Sequence, residues 1–488
     1  MLIISRRSSL AAFGFALLFA CTVGTTALAQ DKAQKIDELL TRYYDYGLFN
    51  GSALVAQKGK VIYKKGFGMA EMEWDIPNQP DTKFRLGSIT KQFTSILIMQ
   101  LAEQGKIQLE GKLSDYLPNY RKDTGEKVTI HNLLTHTSGI PSYTSLPRFF
   151  EDISRDPYSV ADFVNKYCSG DLEFEPGTKF SYDNSGYFLL GAIIEKLTGK
   201  PYEEVLKERI FDPLGMKSTG YDHHETILKK RASGYQRTPR GMINAPYLDM
   251  SLPYAAGSLY STVEDLYLWD QALYTDKLIS PKYKELMFKP FLSNYAYGWV
   301  INKLPLGRSN ERASAISHGG GINGFNTVIV RLVDDKNLIV LLNNTGGARL
   351  DEMSKNIAGI LYDQPYDLPK KPLADALAKT ILEKDVAAAI KQYRELKASQ
   401  ADAYDFGEDQ LNSLGYQMLG LKKVKEAIEI FKLNVEAHPA SSNAYDSLGE
   451  AYMIDGEKDL AIKNYQKSLE LNPKNTNAIE KLKKLGAS

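Results

Sequence analysis

The spacing of apolar positions changes several times along the chain. Two short runs, Ser52 to Gln57 and Val61 to Lys65, flank Lys58-Gly59-Lys60 and read as strands. A Gly-containing turn between two such runs predicts a β-hairpin. From Ser88 to Asp270 the pattern becomes helical, in stretches separated by Pro- and Gly-rich loops. Thr90 to Gln104 and Ser185 to Leu197 stand out, and glycines (Gly105, Gly199) close them as helix C-termini are commonly closed. Strand signals return at Tyr297 to Ile301, Thr327 to Val333 and Leu338 to Leu342, with the polar turn Asp334-Asp335-Lys336-Asn337 between the last two. Leu350 to Tyr362 predicts a closing helix. Strands at both ends with helices between them predict an α+β domain whose sheet unites its N- and C-terminal segments.

Pro365 to Pro372 holds three prolines in eight residues and can continue neither helix nor strand. Beyond it the chain reads as helical and repeats itself at a spacing of 34: Leu411 and Tyr445, Leu414 and Leu448, Gly415 and Gly449, Ala427 and Ala461, Phe431 and Tyr465, Pro439 and Pro473. That is the tetratricopeptide period, with small residues where two helices approach and aromatics filling the gap. Ala376 to Lys397 reads as a degenerate first repeat, and Asn477 to Leu485 as a polar capping helix. The predicted organisation is therefore a leader over 1–29, an α+β domain over 30–365 and an all-α repeat domain over 366–488. Such repeats bind peptides or proteins, so a protein partner is expected there.

The leader is read from Arg6 and Arg7, the apolar stretch Leu10 to Ala20 and the small residues Ala27-Leu28-Ala29 before Gln30. This is the pattern of a secretory signal peptide cleaved after Ala29, and it points to a periplasmic or secreted protein. Two readings compete with it: a lipoprotein box at Leu18-Phe19-Ala20-Cys21, which would anchor a lipid on Cys21, and a twin-arginine signal at Ser5-Arg6-Arg7. No other segment approaches 18 uninterrupted apolar residues, so no membrane span is expected. With 60 Lys plus Arg against 59 Asp plus Glu, the chain has no charge excess to draw it to nucleic acid. Its two cysteines, Cys21 and Cys168, are too few for a disulfide scaffold.

Three short motifs carry candidate chemistry. Ser88-Ile89-Thr90-Lys91 is an S-x-x-K where Phe84-Arg85-Leu86-Gly87 hands over to a helix. Residues three apart share a helix face, so the amine reaches the hydroxyl, and the helix N-terminus favours a developing oxyanion. Taken alone, Ser88 reads equally well as a helix cap and Lys91 as a solvated residue. Tyr182-Asp183-Asn184 is a Y-x-N in a loop after Glu175-Pro176-Gly177. Beside Lys91 its phenol could share a proton and act as base on Ser88. His318-Gly319-Gly320-Gly321 precedes a strand-rich segment, and its glycines would expose backbone N–H groups to a substrate lying along a strand edge. The bland reading of His318 is a loop histidine bonded to a carbonyl. Gly319 to Gly324 also spells G-x-G-x-x-G, but it leads into a strand rather than a helix, which argues against a dinucleotide site. The other histidines lack metal spacing and no G-x-S-x-G is present, so zinc chemistry and the α/β-hydrolase elbow lose ground.

Together Phe84 to Ser95, Thr129 to Pro141, Phe174 to Gly191, Ala256 to Asp265 and His318 to Phe325 resemble, in order, the class C β-lactamase and penicillin-binding serine hydrolase family, across about Gln34 to Tyr362. The resemblance implies a β-lactamase-like fold, an antiparallel sheet flanked by helices beside a helical subdomain, with the site between them and no cofactor or metal. It implies Ser88 as the acylated nucleophile, Lys91 and Tyr182 as its proton-handling partners, and Asn184 as a ligand to the substrate amide. The N–H groups of Ser88 and Gly321 would form the oxyanion hole, with Gly320 and His318 along the substrate-binding strand. His318 stands where many β-lactamases carry a Lys, which lowers the expectation of efficient β-lactam hydrolysis but not of peptidase or esterase activity on a small-molecule or peptide substrate.

Overall fold

The structure is a computed structural model and describes residues 30–487. The expected signal peptide and the competing lipid anchor at Cys21 fall on residues outside the described ones. The chain to Leu368 forms one compact unit and the chain from Pro369 another, with the short segment Arg237–Ile243 counted to the second.

The first unit is built on a six-stranded antiparallel sheet. Helix α1 covers residues 30–45, followed by β1 (Gly51–Gln57) and β2 (Lys60–Phe67). The hairpin between them turns on Lys58 and Gly59, both at positive φ (49° and 75°), which bends the chain with the strands' own twist. Helices α2 (Thr90–Glu103) and α3 (Asn184–Thr198) follow in the helical region, as the periodicity predicts. The chain then returns to the sheet as β3 (Val300–Pro305), β4 (Arg312–Ile322), β5 (Phe325–Leu332) and β6 (Asn337–Asn343), and closes with α4 (Leu350–Leu361). The strand order is β3-β4-β5-β6-β1-β2, so the first and last strands of the unit's sequence pair at the centre.

Strand alternation divides the core in two. Ala53, Val55, Val328, Val330, Ile339 and Leu341 face α1 and α4, whose Ile36, Leu39, Leu40, Met353 and Ile357 cover them. Leu54, Ala56, Ile329, Leu338, Val340 and Leu342 face the large helical core with Phe93, Leu97, Leu190 and Trp269. With both faces covered, every residue of β6 is buried, which is why Leu338 to Leu342 is an unbroken apolar run.

Three elements differ from the sequence pattern. The pattern leaves α1 unassigned, although Ile36, Leu39, Leu40 and Tyr43 fall at helical spacing. The strand expected from Tyr297 begins at Val300, because Gly298 takes φ +78° and the Ala296 N–H bonds the Trp299 carbonyl at 2.7 Å, closing a turn. Tyr297 and Trp299 spend their hydrophobicity on the core. Finally, β4 carries no strand signal, since small and polar residues fill it; it is held by neighbours on both sides, β3 and β5.

The second unit is a stack of helix pairs. Leu373–Glu383 packs with Val386–Ser399, Glu408–Gly420 with Val424–Ala437 and Ser442–Asp455 with Lys458–Leu471, ahead of a final helix Thr476–Lys484. A Cβ on Gly415 would come within 2.4 Å of the Phe431 ring, and one on Gly449 within 3.2 Å of Tyr465. The repeat's small residues thus seat its aromatics. No helix among the described residues is long and apolar enough to cross a membrane.

Candidate active site

Ser88 lies in a tight helical turn, Gly87–Ile89, that runs directly into α2. Gly87 takes φ +56°, and a Cβ there would stand 3.0 Å from both the N and the O of Gly321. On Gly320 a Cβ would strike the Leu86 carbonyl at 1.9 Å. Glycine at both positions therefore lets β4 lie against the Ser88 turn, and Thr327 Oγ1 fastens the approach by donating to the Leu86 carbonyl at 2.7 Å. Pairing of β3 with β4 ends at Val300 opposite Ser317. The stretch from His318 to Ile322 thus has a partner on one side, β5, and a free backbone edge on the other.

Lys91, three residues along from Ser88, is fully buried. Its Nζ donates to Ser88 Oγ at 3.1 Å, Asn184 Oδ1 at 2.8 Å and the Ala256 carbonyl at 2.9 Å. It stands 4.9 Å from the centre of the Tyr182 ring and 5.5 Å from that of Tyr187. Burial pushes its pKa down to about 7, with the Asp183 charge pulling the other way.

Asn184 begins α3, where Asp183 caps the helix by accepting the Gly186 N–H. The Asn184 amide is spent on both sides, its oxygen on Lys91 and its Nδ2 on Thr144 Oγ1 at 3.1 Å. The Asp183 N–H donates to Nδ1 of His136, a buried histidine at φ +56° whose ring lies 4.1 Å from that of Tyr182. Tyr182 is thereby propped between Lys91 and His136. The Tyr182 side chain is 38% exposed, yet the packed groups around its phenol raise it above the ordinary value, against a hydrogen bond with Ser88 that lowers it. A free phenolate is therefore disfavoured, and Lys91 is the group that loses its proton near neutrality.

His318 is a strand histidine. Its Nδ1–H donates to the Gly319 carbonyl at 2.6 Å, which leaves Nε2 to accept from Tyr295 Oη at 2.9 Å. Burial and the nearby Lys91 charge push its pKa down to about 3, so it is neutral and internally satisfied. The carbonyl bond of the bland reading is present, but on a strand rather than a loop.

Ser88, Lys91, Tyr182, Asn184, Gly320 and Gly321 converge. A cavity of about 340 Å³ opens beside them, lined by Ser88, Thr144, Asn184 and Gly321 and walled by residues including Tyr143, Phe149, Leu252 and Phe325. Sequence reasoning passed over the groups that hold the amine and the strand in place: the Ala256 carbonyl, Thr144, Thr327 and His136. A carbonyl has no residue-specific signal, and the threonines matter only for what lies beside them in space.

Residues 31–362 match the family Beta-lactamase, and residues 442–475 match the tetratricopeptide repeat. The chain is 32% identical over 378 residues to a penicillin-binding protein of Bacillus subtilis (strain 168), covering 72% of this chain and 81% of that protein. It is 30% identical over 346 residues to a teichoic acid D-alanine hydrolase of Staphylococcus aureus, covering 69% and 80%. Among solved structures, a D-amino acid amidase from Ochrobactrum anthropi SV3, complexed with L-phenylalanine amide, superposes with a TM-score of 0.59 at 26% identity, over 68% of this chain and 98% of that one.

Proposed function

The chain belongs to the β-lactamase family, and from that premise we propose that it is an exported serine hydrolase that cleaves an amide or ester through an acyl-enzyme on Ser88. The observation that carries the reading is the Lys91 amine, 3.1 Å from Ser88 Oγ and brought to about pH 7 by burial. In its neutral form this amine takes the Ser88 proton, directly or through Tyr182, as Oγ attacks the substrate carbonyl. The N–H groups of Ser88 and Gly321 hold the resulting oxyanion, and the proton passes to the leaving amine or alcohol as the tetrahedral intermediate collapses. Water, activated by the same amine, then releases the acid and restores Ser88.

Asn184 orients Lys91 and keeps the second hydrogen of its Nδ2 for the substrate amide oxygen, while Gly320 and Gly321 present the strand edge. One relative is named a teichoic acid D-alanine hydrolase and one structural neighbour a D-amino acid amidase, which supports hydrolysis as the reaction. An amidase or esterase is favoured over an efficient β-lactamase because the neutral, internally bonded His318 supplies no cation for a β-lactam carboxylate. We assign hydrolysis to residues 30–365 and partner binding to the repeats of 366–488.

Intact-mass measurement after exposure to a fluorophosphonate or a β-lactam tests the reading. Addition of one adduct, mapped to Ser88 and absent in Ser88→Ala, is expected; no adduct with any such probe on folded protein would sink the idea.

A further inference from the structure

The wall of the cavity beside Ser88 has a property that the catalytic reading does not require. Among the described residues lining it there is no Asp, Glu, Lys, Arg or His. Aromatic and aliphatic side chains predominate: Tyr143, Phe149, Phe150, Leu248, Leu252 and Phe325. The polar groups that reach it, such as Thr144, Asn184 and Asn326, are neutral.

The nearest charges are already committed. Lys91 holds three acceptors of its own. Arg148, next to Phe149, is bonded through two nitrogens to Asp152 at 2.7 and 2.9 Å. Arg85, on the strand leading to Ser88, is paired with the buried Asp222 at 2.6 Å. An ionised group entering this cavity would lose its water and gain no counter-charge, which strongly disfavours it. An apolar group would replace water on an apolar wall, which favours it.

We propose that the substrate group filling this cavity is uncharged and apolar, so that the preferred substrates are esters or amides of a neutral, hydrophobic acyl group rather than peptides or β-lactams that place a carboxylate or an ammonium there. The proposal rests on the acyl-enzyme reading above and narrows it to a substrate class. It sets this chain apart from relatives named for D-alanine and D-amino acid amide, whose free amine would find no anion in this cavity.

The test compares p-nitrophenyl esters matched in size and differing in charge: the adipate monoester, its isosteric isopropyl-ended counterpart and an isosteric dimethylammonium-ended ester, each assayed on the full-length protein. The isopropyl-ended ester should exceed both charged esters in kcat/KM by at least about tenfold. Phe150 is 57% exposed, so Phe150→Lys places a cation on the cavity wall at little cost to folding. That variant should shift the ratio of adipate to neutral ester several-fold toward adipate and leave the dimethylammonium ester disfavoured. Equal rates on charged and neutral esters, with Ser88 labelled by fluorophosphonate, would overturn the substrate class and leave the hydrolase standing. Absence of any Ser88 adduct would overturn both.

Discussion

Lys91 donates to the side-chain oxygen of Asn184 across 2.8 Å, although the two are 93 residues apart and start different helices. This contact, with the Ala256 carbonyl, fixes the amine over Ser88 and keeps it from water. Because the charged form is the one that burial penalises, the amine is cationic below about pH 7 and a free base above it.

The rate of Ser88 acylation is therefore expected to rise with pH along a single limb centred near pH 7. Neither Tyr182, raised by burial, nor His318, lowered to about 3, contributes a second limb near neutrality. The kcat/KM profile on an uncharged ester checks this, and Lys91→Arg, which stays protonated, should lose at least about a hundredfold. A profile flat from about pH 5 to 9 would contradict the assignment of the base.

Asp183 raises the Lys91 pKa through its charge while its side chain caps α3. Asp183→Asn keeps a capping oxygen and removes the charge, so the limb should move to lower pH while the fold persists. Movement to higher pH, or none, would show that Asp183 does not act on Lys91 electrostatically.

Gly320→Ala drives a Cβ into the Leu86 carbonyl, a backbone atom that cannot swing aside. The strand must retreat from the Ser88 turn and take the Gly321 N–H with it. We expect a loss of roughly a hundredfold or more in kcat, the scale of removing one oxyanion donor. Gly319→Ala, whose Cβ would meet nothing closer than 3.6 Å, is the control and should retain most activity.

Arg331 on β5 is buried with Asp270, 2.7 Å away, with the Tyr274 ring 4.7 Å from the guanidinium carbon. Asp270→Ala leaves a buried cation unpaired and should cost about 3–5 kcal/mol of stability, read from denaturant unfolding. Asp270→Leu combined with Arg331→Met removes both charges and should recover most of that loss.

Much of the fold was legible locally. The β1–β2 hairpin follows from Lys58-Gly59 between two short strand-like runs, and α2 and α3 from periodicity closed by glycine. The repeat helices follow from a spacing of 34, and the starts Glu408 and Ser442 keep that spacing. In each case the deciding interactions lie within a few tens of residues. The same holds for Ser88 and Lys91, which one turn of helix is enough to bring together.

By contrast β4 shows no local strand pattern and was expected only from its glycine run and the family resemblance, because its glycines and small polar residues have little intrinsic strand preference and are held there by pairing with β3 and β5. The downward shift of the Lys91 amine was equally hidden, since a pKa depends on how much water folding removes. Sequence alone determined most of the elements, the repeat and the placing of Ser88 beside the Lys91 amine. Only the tertiary structure decided that the amine is dry enough to be a base, that His318 is turned inward, and that the cavity beside Ser88 carries no charge. These are properties of groups brought together from distant parts of the chain, and burial and electrostatics act through space rather than along the sequence.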